Sequence, residues 1–548
     1  MCHGNGVLGF VLDATSGEDP GLLRSTPPAD LTQQVTDISS SHYPTDPSHH
    51  SNESEQHDTL NTTPNSMEAT PEDPVVFDPL SSTVISELCG AWFKVYHPWF
   101  PILHQPSMRE ALETSPNIEY SSRYLVIKAI VAVTIHHCQS CPSTAEQRQQ
   151  WSATLRNTVV MESMSQVSLQ SVQALLILSN LDYGEGNTSR FWNLLALCKR
   201  MNTHLGLCEL ATNQGSNINH TSTVPPRMLP LPNTIIDREE RVRAYWMTEV
   251  LDSMSTIGAG WNLGILSPTP NSVLPCSDSL WAFPEHIINV WSFGHFKYSS
   301  AFSLCIILVA NEFWSVHNFL QKSFDMSISE ERLQWQSEAQ RIDERLTNWR
   351  EEFVAAVFRL INAEFAQEER AEMDPNIVLT NCILNSAIIV LFQQRAPYPE
   401  EVECTVEPWA YATNRCVYAC ENIAAKVRRV HDDELLISNP HLILSIFIAA
   451  RFYIVYAKTL NADVPSNLHS LAYALHICGK RWPLARRYET VIRTAVVEHR
   501  ASVLMSSLPL QFYDLRYSTL NIDDALRVWV ENLLPDLALG ESAAVESA

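Results

Sequence analysis

The densest group of chemically capable side chains is His136-His137-Cys138, with Cys141 three residues further on. Imidazoles and thiolates at such spacing are zinc ligands, and a closed tetrahedral site needs four of them, often as two pairs. No second pair lies nearby. The apolar run Tyr124–Ile135 that leads into the cluster reads as a helix. Cys138 is therefore either a ligand or the end of a buried helical face, and the second reading accounts for more of the surrounding sequence. Cys416 and Cys420 stand one helical turn apart beside Ala419 and Ile423, the setting of thiols that pack as small apolar groups. Gly4, Gly6 and Gly9 spell G-x-G-x-x-G. That motif cradles a dinucleotide only between a strand and a helix, and here an acidic, proline-bearing stretch follows it. The hydrolase, zinc-protease and phosphate-loop signatures G-x-S-x-G, H-E-x-x-H and G-x-x-x-x-G-K-[ST] do not occur. Adjacent acids such as Glu351-Glu352 point to different faces of a helix and read as solvated surface. No catalytic, cofactor-binding or metal-ligating residue is assigned. An enzyme whose groups meet only in the fold remains a competing reading.

Charge and composition narrow the classes further. The 548 residues carry 37 basic and 61 acidic side chains, a net charge of −24. Residues 1–80 hold thirteen acids, from Asp13 to Asp78, and one base, Arg24, so 1 − 13 = −12 of that charge lies there. With nine prolines and polar runs such as Ser39–Ser41 and His49–Ser54, this segment cannot bury enough surface to offset ordering entropy, and it reads as a disordered acidic leader. It is either a plain solvated tail or an interaction segment anchored by short apolar runs such as Val75-Val76-Phe77. The apolar residues up to Leu12 follow no Lys or Arg and run into Asp13, against a secretory signal. Leu442–Ala457 is the best membrane-span candidate, but it contains Arg451. Its length of about 24 Å, at ~1.5 Å per residue, falls short of a ~30 Å hydrocarbon core. Asn439 and Pro440 read as its N-cap and first helical position. A buried helix of a soluble domain is the reading, which sets the expectation of an intracellular protein with reduced thiols and no membrane partner. Thirteen cysteines are too thinly spread for a small disulfide scaffold. Sixteen glycines are few for a turn-dense β architecture. A strongly negative chain is also poorly suited to gripping phosphate backbones over its whole surface.

The elements that must position these residues are helices. Phe191, Leu194, Leu195, Cys198, Met201 and Leu205 share one helical face, with Gly206 as the stop. Val172, Leu176, Ser179 and Tyr183 mark a helix before it, capped by Ser168. A turn of Gly184, Gly186 and Asn187 joins the two into an αα-hairpin. Val242, Trp246, Val250, Ser253 and Ile257 stripe a helix over about 238–257, with Asp237, Glu239 and Glu240 at its electropositive start. Proline-rich stretches on either side, 211–235 and 267–284, read as surface loops. Trp335, Ala339, Ile342, Leu346, Trp349 and Phe353 form a seam under three heptads long, better suited to packing inside one domain than to dimerisation. Further helices are expected at about 376–394, 408–430, 440–460 and 466–486. The fold class is all-α: packed antiparallel helix pairs, with the leader at 1–80, an N-terminal helical part at 81–320, a C-terminal part of the same domain at 321–535, and a flexible tail at 536–548.

Three stretches taken together carry a resemblance. Leu88–Met108 reads LCGAWFKVYHPWFPILHQPSM. Residues 171–207 read SVQALLILSNLDYGEGNTSRFWNLLALCKRMNTHLGL. Residues 237–265 read DREERVRAYWMTEVLDSMSTIGAGWNLGI, with Leu274-Pro275-Cys276 and Trp281 following. In this order and spacing they resemble the regulatory domain, or middle homology region, of fungal-specific transcription factors. The likeness is strong over about 81–300 and weaker through Leu346–Trp349, Arg395–Tyr398 and Cys416–Ile423. It implies a helical regulatory domain acting in the nucleus on transcription, in many relatives on a cluster of biosynthetic (secondary-metabolism) genes. It also implies partners in the transcription machinery and a small-molecule effector, and it brings no catalytic residue. Relatives usually begin with a basic zinc cluster of six cysteines. Here Cys2 alone precedes Cys89 and Arg24 is the one base in the leader, so those residues cannot build the cluster. DNA is then reached through a partner, through a zinc-cluster exon missing upstream, or through a surface of another kind. A helical scaffold or effector-binding module without direct DNA binding is the alternative.

Overall fold

The computed structural model describes residues 80–114, 121–138, 143–212, 228–259, 272–283, 300–365, 374–396, 407–503 and 505–545. Cys141, the leader up to residue 79, residues 213–227 of the first proline-rich stretch and 267–271 and 284 of the second lie outside the described residues. Within them the fold is all-α, with no strand. The first helices are α1 (Ser82–Val95), α2 (Gln105–Thr114), α3 (Tyr124–Thr134), α4 (Ala145–Ser165), α5 (Leu169–Glu185), α6 (Thr188–Leu205), α7 (Leu207–Thr212), α8 (Ile235–Thr256) and α9 (Asp278–Ala282). Then come α10 (Ala301–Ile307) and α11 (Trp314–Leu320), joined by a wide helical turn over Leu308–Phe313, and the long α12 (Ser329–Phe365). The remainder is α13 (Pro375–Phe392), α14 (Glu407–Val427), α15 (Asp432–Leu436), α16 (His441–Thr459), α17 (Asn467–Gly479), α18 (Pro483–Arg500), α19 (Leu510–Tyr513) and α20 (Thr519–Val545).

Local chemistry explains many of these boundaries. Ser81, Thr144, Ser168, Thr234, Ser300 and Asp374 each turn a side-chain oxygen onto an orphan N–H of the helix that follows. At Thr144 the exchange is reciprocal, with Gln147 reaching back to the cap N–H. Pro375 and Pro483 occupy first-turn positions where a missing N–H costs nothing. Gly186 and Gly206 close α5 and α6 at φ 80° and 72°, the left-handed conformation that glycine adopts freely.

The expected αα-hairpin is present, and every residue of the six-membered stripe on α6 is buried. The turn is tighter than expected. Gly184 sits inside α5, where a Cβ would fall 2.2 Å from Cε3 of Trp482; glycine is there so that an indole can lie on the helix. The helix expected at 466–486 is two. α17 ends at Gly479, Trp482 is extended, and Pro483, which cannot donate into a preceding turn, starts α18. The seam on α12 faces inward, with Ala339, Ile342, Leu346 and Phe353 nearly inaccessible. The last helix continues into the segment read as a tail, as far as Val545.

The centre is formed by α13 and α16, buried on nearly all sides. By length and apolarity alone Ala301–Leu320, Pro375–Phe392 and His441–Thr459 could each cross a bilayer. Here 67%, 89% and 83% of these stretches is covered by protein, so their apolar surface is met by neighbouring helices. One apolar core runs from Ile85 on α1 to Leu526 on α20. The chain before and after residue 320 shares it. Trp99 Nε1 donates to the Ile437 carbonyl at 2.9 Å, Asn376 donates to Pro98 O at 3.0 Å, and Tyr183 stacks on His441 at 4.1 Å.

Replacing Gly184 by alanine should cost about 1–3 kcal/mol, the range for overpacking a tight core contact. Urea denaturation of the full chain measures it. Gly90→Ala, where nothing lies within 4 Å of the added methyl, should be neutral or mildly stabilising because the residue is helical.

Candidate functional site

The most elaborate polar site joins the stretch after α1, the helix α8 and the segment 272–277 with α9. It is centred on Arg243, whose side chain is fully buried. Its Nε donates to Glu239 Oε1 at 2.9 Å. Nη1 donates to the Pro101 carbonyl at 2.9 Å and to Asp278 Oδ1 at 2.5 Å, and Nη2 to the Cys276 carbonyl at 2.6 Å. The guanidinium lies 4.1 Å from the centre of the Trp281 ring, a desolvated cation–π contact. Glu239 also accepts the Cys276 N–H at 2.8 Å, and Trp246 Nε1 donates to Val273 O at 2.8 Å. Burial disfavours the charge of Arg243, but Asp278 and Glu239 outweigh it and the pKa is raised.

A second carboxylate on α8 serves the same purpose one residue on. Glu240 receives both arms of Arg123, at 2.9 and 3.2 Å, together with the His104 backbone N–H at 3.1 Å. The His104 ring donates from Nε2 to the Trp281 carbonyl at 3.0 Å, which leaves Nδ1 to accept from Ser107. Burial lowers its pKa, so the neutral tautomer is the native one. The acids expected to sit at a solvated helix start thus divide. Thr234 is the cap and Asp237 lies in the first turn, whereas Glu239 and Glu240 are interior ion-pair partners. The 267–284 stretch is likewise more than a surface loop, because 272–283 is strapped onto α8 and buries Trp281.

The same device recurs in the C-terminal helices. Arg451, in the middle of α16, donates to the carbonyls of Phe512, Gln511, Asp514 and Tyr517 at 2.7–3.0 Å. Burial lowers its pKa to about 10, with Asp514 opposing. Arg487 donates to Gly186 O at 3.2 Å and lies 3.6 Å from Asp523, which also accepts Tyr488 OH at 3.0 Å. A shallow cleft beside Arg451, lined by Ser255, Val390, Gln393, Leu444 and Ser518 among others, has room for about one water molecule.

The sequence-derived candidates are dispersed. His137 Nε2 pairs with Tyr96 OH at 3.0 Å, and burial, with Arg481 nearby, lowers its pKa to about 4. Cys138 is buried and Cys141 lies outside the described residues. The Cys416 and Cys420 thiols point to the carbonyls of Ile389 and Ala449 at 3.7 Å each, as core thiols do. Among the described residues no three His, Cys, Asp or Glu side chains converge in a way that could hold a metal. The arginine straps were missed at the sequence level. Their signals were the i,i+4 pair Glu239/Arg243 and an arginine inside an otherwise apolar helix at 451.

The Arg243 site draws on two of the three stretches quoted above, Pro101 in the first and Glu239 and Arg243 in the third, and Gly186 of the second receives Arg487. A profile of the fungal specific transcription factor domain matches residues 90–351. The chain belongs to that family. It is similar to the notoamide biosynthesis cluster transcriptional coactivator notQ' of Aspergillus versicolor, with 38% identity over 457 residues, 83% of this chain and 74% of that protein. That likeness is longer than the profile match (351 − 90 + 1 = 262 residues), so it extends past α12. No solved structure matches.

Arg243→Met should lose about 3–5 kcal/mol, because it leaves Glu239 buried without its partner, and limited proteolysis should then cut within 272–283. Adding Glu239→Leu should recover part of the loss. His441, buried and stacked on Tyr183, has its pKa lowered by burial to about 3. The unfolded chain takes up that proton near pH 6.5 and the native one does not, so its stabilisation is present above that pH and is lost as pH falls toward the folded value. Denaturation between pH 7 and 5 should show a shallower acid loss for His441→Phe, by about 1.4 kcal/mol per pH unit once the unfolded histidine is charged.

Proposed function

We propose that this protein regulates transcription of a biosynthetic gene cluster in the nucleus, as a non-enzymatic component brought to promoters by a DNA-binding partner. One observation carries the reading: the likeness to a protein named as a cluster coactivator spans 83% of this chain. The site chemistry is consistent with it. The buried charged groups of the straps hold carbonyls and carboxylates of the chain itself. In the residues ahead of the domain one cysteine and one base stand against thirteen acids, which leaves phosphate contacts to another polypeptide or another segment.

Deleting the gene should change the transcripts of one contiguous gene set, and chromatin immunoprecipitation should place the protein at those promoters. Purified 1–548 should shift promoter DNA weakly at physiological salt. An unchanged transcriptome under producing conditions would sink the proposal. Cytoplasmic residence with a bound small molecule and no promoter occupancy would favour the scaffold alternative. Tight, sequence-specific binding by the isolated chain would overturn the need for a partner.

A further inference from the structure

The antiparallel pair α17 and α18 turns one face to solvent, and that face is basic in a chain of net charge −24. On α17 the exposed positions are His469, Tyr473 and His476, with Lys480 capping its end; on α18 they include Arg486, Arg493, Val497 and Arg500. The two rows adjoin along their length. Arg500 Nη2 meets His469 Nε2 at 3.2 Å at one end, His476 Nδ1 lies 3.0 Å from Glu489 Oε1 at the centre, and Arg486 donates to the Gly479 carbonyl at 3.2 Å at the other end.

The acids near this face are already engaged or stand at its edge. Glu489 is nearly buried and takes Arg493 as well as His476. Glu498 accepts the Ser506 hydroxyl and both the N–H and the hydroxyl of Ser507 on the loop behind. Asp432 accepts Tyr473 OH at 2.6 Å, and with Asp433 and Glu434 on α15 it bounds the patch. Arg493 thus shares Glu489 with His476, while the contacts of Arg486 and Arg500 are the Gly479 carbonyl and the His469 ring, so the face keeps more positive than negative charge.

Spacing then selects the partner. Arg486, Arg493 and Arg500 recur every seven residues, as do His469/His476 and Tyr473/Lys480. At ~1.5 Å per residue the arginines stand about 10.5 Å apart, the repeat of one face of another helix. Tyr473 and Val497, 52% and 65% exposed, give the face apolar contacts that a phosphate backbone does not use.

We propose that the α17/α18 face is a docking site for an acidic amphipathic helix of a partner protein, with carboxylates at seven-residue intervals beside the three arginines and an apolar seam on Tyr473 and Val497. This rests on the partner-dependent reading above. The two fail separately, because peptide binding can be absent while promoter occupancy persists, and the reverse.

The test uses the full chain and a fluorescent 21-residue helical peptide carrying Glu at positions 4, 11 and 18 with a leucine seam. The wild type should bind it, more weakly as salt rises. The variant R486Q/R493Q/R500Q should lose at least tenfold in affinity, and Val497→Asp several-fold, with the helical circular dichroism of the wild type retained at the assay temperature. Arg341→Gln/Arg345→Gln on α12, a charge loss elsewhere, should leave binding intact. Equal binding by the triple variant, equal binding of a peptide with the same composition in scrambled order, or tighter binding of a 20-base-pair duplex through the same arginines would each overturn the proposal.

Discussion

A buried guanidinium donating to backbone carbonyls is the interaction on which this architecture depends. Helices satisfy their own backbone, but the connections between them do not, and a connection packed against a core must find donors for its carbonyls. Arg243 supplies them to Pro101 and Cys276, Arg451 to four carbonyls between Gln511 and Tyr517, Arg487 to Gly186, and Arg241 to Pro230. A planar fork with five N–H groups and a permanent charge suits this task where lysine would not. Where the site is deepest, carboxylates on the same helix or its neighbours neutralise the charge, as Glu239 and Asp278 do for Arg243.

These straps bring distant segments together. α5 sits at the junction: its Gly184 receives the Trp482 indole, its Tyr183 stacks on His441, and the Gly186 that ends it takes Arg487. The stretch Tyr96–Trp99 after α1 reaches Ile437, Asn376 and Arg481. Residues inside and outside the family match therefore bury one another, and the apolar core does not divide at residue 351.

Much of the scaffold was legible in the sequence because its signals are local. A stripe such as Phe191 to Leu205, a serine before it and a glycine after it state a helix with both ends. The seam from Ala339 to Phe353 turned inward as its short length implied. The break at Trp482–Pro483 was misread because the apolar pattern continues across it, and the proline outweighs the pattern. Gly184 was misread as a turn residue because the reason for it is an indole nearly three hundred residues away. The polar site was the least legible part. Glu239, Arg243 and Asp278 look like ordinary surface charges until 272–283 folds back over α8, and no periodicity encodes that return.

The indivisible core has a consequence for how such regulators can be recombined. The natural-looking cassette, the stretch that matches the family from residue 90 to 351, would carry half of each interface away with it: Tyr183 without His441, Trp99 without the Ile437 carbonyl. A chimera that exchanges regulatory specificity between relatives has its working junction ahead of Ser82, and everything from α1 through Leu526 on α20 travels as one piece.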